Sequence, residues 1–94
     1  MANPWNVAEW TKKWTYLHAA CGASHGNLDI VKSLVERNAN VNQANSYGVT
    51  PLMCSVIAGH AHIVRYLLDN GANEKLETIA KDSALSLALH IAGE

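Results

Sequence analysis

Apolar residues recur along this chain with the period of a helix, and the helical stretches come in pairs. Ala61, Val64, Leu67 and Leu68 share one face of a helix. Gly71 suits the left-handed stop behind it, and Gly59 ends a shorter stretch in front of it. That shorter stretch opens at Thr50, a good N-cap, with Pro51 at the first helical position, where its missing N–H costs nothing. Gly48 suits a turn position with positive φ. The pattern over 48–73 therefore predicts a turn, a short helix, a tight loop, a second helix and a glycine stop.

The same order occurs one unit earlier. Residues 26–40 lie over 59–73 at a spacing of 33, with Leu28, Val31, Leu34 and Val35 as the buried face and Ile30 extending it. Upstream, Thr15-Tyr16-Leu17-His18-Ala19-Ala20 matches Thr50-Pro51-Leu52-Met53-Cys54-Ser55 at a spacing of 35. The difference predicts a longer first helix or a bulged loop between the first two helices. Ser83-Ala84-Leu85 makes a third start, 33 residues after Thr50. A fixed period of this length is the mark of a repeat array.

With Thr15-Tyr16-Leu17-His18-Ala19-Ala20, Thr50-Pro51-Leu52 and the stop Gly71-Ala72-Asn73 in register, the chain resembles the ankyrin-repeat family. The resemblance covers residues 13–92. Met53 stands where the family has His, Tyr16 where it has Pro, and Asn38 where it has the stop Gly. Asn tolerates a left-handed backbone, so the last change is mild. The resemblance implies an all-α fold, a solenoid of stacked helix–loop–helix units with short β-hairpin fingers. We expect one domain over 1–94: an N-terminal capping helix over 1–13, repeat one over 14–46, repeat two over 47–79 and a partial third repeat or cap over 80–94. In the capping helix Asn3 and Pro4 read as a helix start, and Val7, Trp10 and Trp14 share one side. Those large rings suit a cover for the open end of the array.

Composition narrows the function. Apolar residues make up 49% and charged residues 16%, which describes a folded chain. A net charge of −1 gives no electrostatic case for nucleic acid. No run of about 18 apolar residues is present, so no membrane span is expected. Cys21 and Cys54 occupy related places in successive first helices and read as small buried hydrophobes in a reducing compartment, cytoplasm or nucleus.

No cofactor, metal or catalytic residue is expected. The phosphate-binding glycine motifs and the nucleophile elbow do not occur. His25, His60, His62 and His90 are not at metal-ligand spacing. Cys21 follows His18 by three positions and neighbours it on a helix, but no orienting group follows. By resemblance His18 is the signature histidine, which bonds backbone and threonine groups between adjacent turns.

The expected function is a protein-interaction module that meets another protein or a peptide segment on a concave face of fingertips and first helices. Residue by residue, the resemblance puts Ser46, Tyr47, Val49, Ile57 and Ala58 of repeat two on that face, with Asn70 at its edge. It adds Ile79, Ala80, Asp82, His90 and Ile91 of the third repeat, and Trp14, Ala23, Ser24 and Arg37 of the first. Val49, Ile57, Ala58, Ile79 and Ile91 make the face apolar, which points to an apolar segment of a partner. An alternative is a terminal or regulatory part of a larger ankyrin-containing enzyme or scaffold, without a partner of its own. Asn42 holds the hairpin position at which ankyrin repeats are substrates of 2-oxoglutarate-dependent asparaginyl hydroxylases; a turn-stabilising Asn is the other reading. Finally, the last helix carries two apolar stripes. Repeat two is expected to cover Leu85, Ala88, Leu89 and Ala92, which leaves Leu87 and Ile91 either for self-association through this helix, a homodimer being the simplest form, or for a further C-terminal segment of the natural protein.

Overall fold

The structure, a computed structural model, describes residues 16–23 and 26–92. The expected capping helix over 1–13 lies outside the described residues, as do Trp14 and Ser24. Among the described residues five helices follow one another: α1 (Tyr16–Gly22), α2 (Leu28–Glu36), α3 (Pro51–Ala58), α4 (Ala61–Asp69) and α5 (Ala84–Ala92). The first helices α1, α3 and α5 stack side by side, with α2 and α4 packed behind them. This is the all-α helical-repeat architecture that the resemblance implies. None of the described helices is long and apolar enough to cross a membrane.

The start and stop signals work as their chemistry requires. Thr50 accepts the Met53 N–H at 3.3 Å, and the Met53 sulfur accepts the Thr50 N–H at 3.4 Å. Ser83 and Ser86, one period later, repeat this reciprocal pair at 3.3 and 3.0 Å. Asn27 caps α2 by accepting the Ile30 N–H. Gly59 stops α3 at φ 78°, and Asn38 at φ 69° takes the place that Gly71 holds at φ 93°. The helix α1 ends at Gly22, so repeat one does not lengthen its first helix towards α2.

Leu17, Cys21, Val31, Leu52, Met53, Cys54, Ile63, Leu67 and Ala84 form one continuous core. On α2 only Val31 is fully buried; Leu28, Leu34 and Val35 are half-buried, and Ile30 is exposed. Three side chains fasten repeat one to repeat two through backbone groups. His18 reaches the first finger, His60 Nε2 reaches the Ala23 carbonyl at 2.6 Å, and Asn42 clasps the end of repeat two.

The fingers are tighter than β-hairpins; among the described residues there is one isolated bridge, Glu77 with Ser83, and no strand. The cause is the side chain at the finger's first corner. Asn45 Oδ1 accepts the N–H groups of Tyr47 and Val49, both at 2.9 Å, and closes the tip as an Asx turn. Thr78, 33 residues on, does the same for Ala80 and Asp82 through Oγ1, both at 3.2 Å. Backbone bonds Gly48 to Asn45 and Lys81 to Thr78 repeat in the same way. Lys81, which stands in Gly48's place, is held at φ 68°. Lys81→Gly should therefore stabilise the chain by about 0.5–1 kcal/mol, the left-handed penalty less the added freedom of the unfolded glycine. Urea denaturation of the two proteins checks this; a loss of stability would mean that the lysine stem makes contacts that outweigh its strain.

The C-terminal helix corrects the sequence expectation. Repeat two covers Ala84 and packs against Leu87, while Leu85 and Leu89 of the other stripe are 67% and 63% exposed. A helical period tells which residues share a side; only the packing tells which side is covered.

Candidate functional site

An apolar groove of 560 Å³ runs between α1, α3 and the first finger. The finger wall is Asn45, Tyr47 and Val49; the helix walls are His18, Ala19, Gly22 and Ala23 from α1 and its end, and Cys54, Ile57 and Ala58 from α3. Its volume lies in the range of pockets that hold small molecules or a short peptide stretch, about 300–1,000 Å³.

Each wall follows from local chemistry. The Asx turn at Asn45 holds the tip so that Tyr47 projects, and Tyr47 is 56% exposed. Ile57 is 55% exposed on the last turn of α3, before Gly59 turns the chain away. Ala19, Gly22 and Ala23 keep the α1 wall low, so the groove stays open between the helices. Two large apolar side chains, each more than half in water, thus flank a floor of small residues.

His18 ties the groove's two sides together. Its side chain is fully buried, and Nε2–H donates to the Val49 carbonyl at 2.8 Å. Burial lowers its pKa below 6.5; hydrogen bonds to the backbone of Val49 and Gln43 pull the other way and lose. The neutral ring is therefore favoured by folding. The stability this contributes is present above the unfolded pKa, about 6.5, and is lost as pH falls from there through the lower folded value. The denaturation midpoint should fall between about pH 7.5 and pH 5, and by less in His18→Asn. Equal slopes in both proteins would mean that His18 is not the group responsible.

The thiols are in a different state from a nucleophile. Burial pushes Cys21 up to about 12, with the charge of Cys54 adding to it, and pushes Cys54 up to about 11. Both remain free, buried and protonated at neutral pH. The His18 ring, turned onto the finger backbone, is committed elsewhere.

Of the residues that the sequence put on the concave face, Tyr47, Val49, Ile57, Ala58 and Ala23 converge on this groove. Ser46 is exposed at the fingertip beside it. Ile79, 70% exposed, extends the finger row: its N–H donates to the Tyr47 carbonyl at 2.9 Å. Ala80 is exposed on the second tip; Asp82 is half-buried and accepts the Ser86 hydroxyl at 3.1 Å. His90 and Ile91 are exposed on α5 but do not line the groove, nor do Asn70 and Arg37. Sequence reasoning missed the floor, Ala19, Gly22 and Cys54. Its one signal was small side chains at matching places, Ala19 over Cys54, in the paired first helices.

Asn42 lies at the finger's base, away from the groove. Its Nδ2 donates to the Gly71 carbonyl at 3.0 Å, and its Oδ1 accepts the Asn73 N–H at 2.7 Å. Asn42→Ala should cost about 1–3 kcal/mol, because two inter-repeat bonds go with one side chain. A thermal melt within error of the parent would show that water replaces both.

The 33-residue period, the paired helices and the repeated finger turns have a counterpart in a known family. The description "Ankyrin repeats (3 copies)" matches residues 2–82. The chain belongs to the ankyrin-repeat family. Its relatives include the Ankyrin repeat and KH domain-containing protein 1 of Homo sapiens, 43% identical over 80 residues, which are 83% of this chain and 3% of that protein. BTB/POZ domain-containing protein 3 of Schizosaccharomyces pombe is 36% identical over 81 residues, 85% of this chain and 15% of that protein. The Probable 26S proteasome regulatory subunit p28 of Saccharomyces cerevisiae is 36% identical over 79 residues, 82% of this chain and 32% of that protein. The chain thus spans about a third or less of these curated relatives. Ankyrin repeats are generally protein-interaction modules.

Proposed function

We propose that this chain is a protein-binding module that takes an apolar segment of another protein into the groove between α1, α3 and the first finger. The observation that carries this reading is the pair Tyr47 and Ile57, large, apolar and over half exposed on either side of a 560 Å³ groove. Such a patch is costly to leave in water and is what a partner's side chains fill. Among the described residues that line the groove none is charged, so the partner's contacting residues are apolar and its charges lie outside the groove. Ser46, Ile79 and Ala80 along the fingertips extend the contact beyond it. A catalytic role has no support: the thiols are protonated, and the family is typically one of non-enzymatic scaffolds. A reducing compartment, cytoplasm or nucleus, suits two buried cysteines kept as thiols.

The second reading, a regulatory or terminal part of a larger ankyrin-containing protein, is favoured by the small share of each relative that the chain covers. The two readings differ in whether the groove binds in trans. A displayed peptide library selected on the folded protein, with counter-selection on Ile57→Glu, separates them. We expect enrichment of peptides rich in aliphatic and aromatic residues that bind the parent and not the variant. A library with no enrichment over the Ile57→Glu background would remove the trans-binding reading.

A further inference from the structure

The open side of α5 is a second apolar surface, on a different face from the groove. Leu17, Leu52 and Leu85 hold the same place in successive first helices. Leu17 is 1% exposed and Leu52 is 2% exposed, but Leu85 is 67% exposed. Val56 is half-buried, while Leu89, its equivalent one period on, is 63% exposed. The difference has a physical cause. The helix α4 packs against α3 and buries Ile63 and Leu67, an aliphatic pair four residues apart. Among the described residues no helix does this for α5. Two hollows of 170 and 320 Å³ adjoin there and share Val56, Val64 and Ala88.

The repeat itself states what fills such a seat: a helical ridge of two aliphatic side chains at i and i+4. The outer face of α5 carries that ridge, Leu85 and Leu89. Its sequence, Ala-Leu-Ser-Leu-Ala-Leu-His-Ile-Ala, contains no Asp, Glu, Lys or Arg. Glu74 lines one of the hollows, and the other copy's α5, which carries no charge, sets no like charge against it. The geometry points to a twofold homodimer in which the Leu85–Leu89 ridge of each copy lies in the other's hollow beside Val64 and Leu68. A twofold contact uses the same patch on both subunits and closes on itself, which a patch that carries both ridge and hollow satisfies. Leu68, 39% exposed, adds to the area covered. The pairing differs from the one expected from sequence, because Leu87 is spent on the core. It is apolar, so its strength should change little with salt.

Sedimentation velocity of the full chain over a range of concentrations tests it. We expect a monomer–dimer equilibrium that Leu85→Glu with Leu89→Glu weakens by about 100-fold or more, with helical content unchanged, since both residues are in water in the monomer. Should that double variant lose its fold, isotope-filtered NMR on a mixture of labelled and unlabelled wild-type chains gives the same answer directly: cross-peaks between the Leu85 and Leu89 methyls of different copies. A wild-type chain that stays monomeric to about 1 mM overturns the proposal. So does a dimer whose cross-peaks fall on Tyr47 and Ile57. Saturable binding of a peptide copy of residues 59–73 to the Leu85–Leu89 face of a monomer would also overturn it, and would name a separate amphipathic helix as the occupant.

Discussion

Gly48→Ala should cost about 2–4 kcal/mol. Two terms add. Gly48 sits at φ 80°, where an L side chain is strained by about 1–2 kcal/mol. A Cβ there would also meet the Thr78 Cα at 2.9 Å, the Glu77 carbonyl oxygen at 3.0 Å and the Ile79 nitrogen at 3.2 Å. These are backbone atoms of the second finger, so no side chain can swing aside. The fingers would have to part, breaking the Ile79-to-Tyr47 bond that sets them side by side. In a domain of this size the melting temperature should fall by about 10 °C or more. Gly59→Ala is the control: its φ is 78°, yet nothing lies within 4 Å of the added Cβ, so only the strain remains. Equal losses at the two positions would mean that the fingers do not pack as described.

The double variant Tyr47→Ala with Ile57→Ala should nearly abolish partner binding and leave the melting temperature almost unchanged. Each anchor is expected to contribute about 1–3 kcal/mol to binding, which together is a loss of about 30-fold to about 20,000-fold in affinity. Stability should hold because both side chains are already more than half in water. The backbone carbonyl of Tyr47, which the second finger uses, is kept by alanine. Titration calorimetry with a library-selected peptide gives the first number and a thermal melt gives the second. A large fall in melting temperature with binding intact would make these residues structural, and the groove would lose its anchors.

The array was legible in the sequence because its signals are local. Positive φ at Gly48, Gly59 and Gly71, the Thr50 cap and the apolar faces each answer to a few neighbouring residues. Asn38 in a glycine's place was legible for the same reason, since its tolerance of φ 69° is a property of its own side chain. The finger turn at Thr78 was not, because Thr replaces Asn there and only the geometry shows that its Oγ1 takes the two amides that Asn45 Oδ1 takes. The two stripes of α5 were visible, but Leu87 packs on the core while Leu85 and Leu89 face water, and Ile91 stays exposed as expected; Leu87 and Leu85 are equally apolar, and only the position of α3 decides between them. The groove was half legible. Tyr47, Val49, Ile57 and Ala58 came from the family's repeat positions, whereas the floor consists of Ala19, Gly22 and Cys54, which matter for being small. Residues with little side chain leave little pattern.

A partner's apolar segment in the groove between α1, α3 and the first finger would show in amide chemical-shift mapping of the labelled protein with a selected peptide. Saturable shifts are expected, concentrated in residues 19–23, 45–49 and 54–58, with Tyr47 and Ile57 among the largest. Shifts confined to the outer faces of α2 and α4, or to α5, would contradict it.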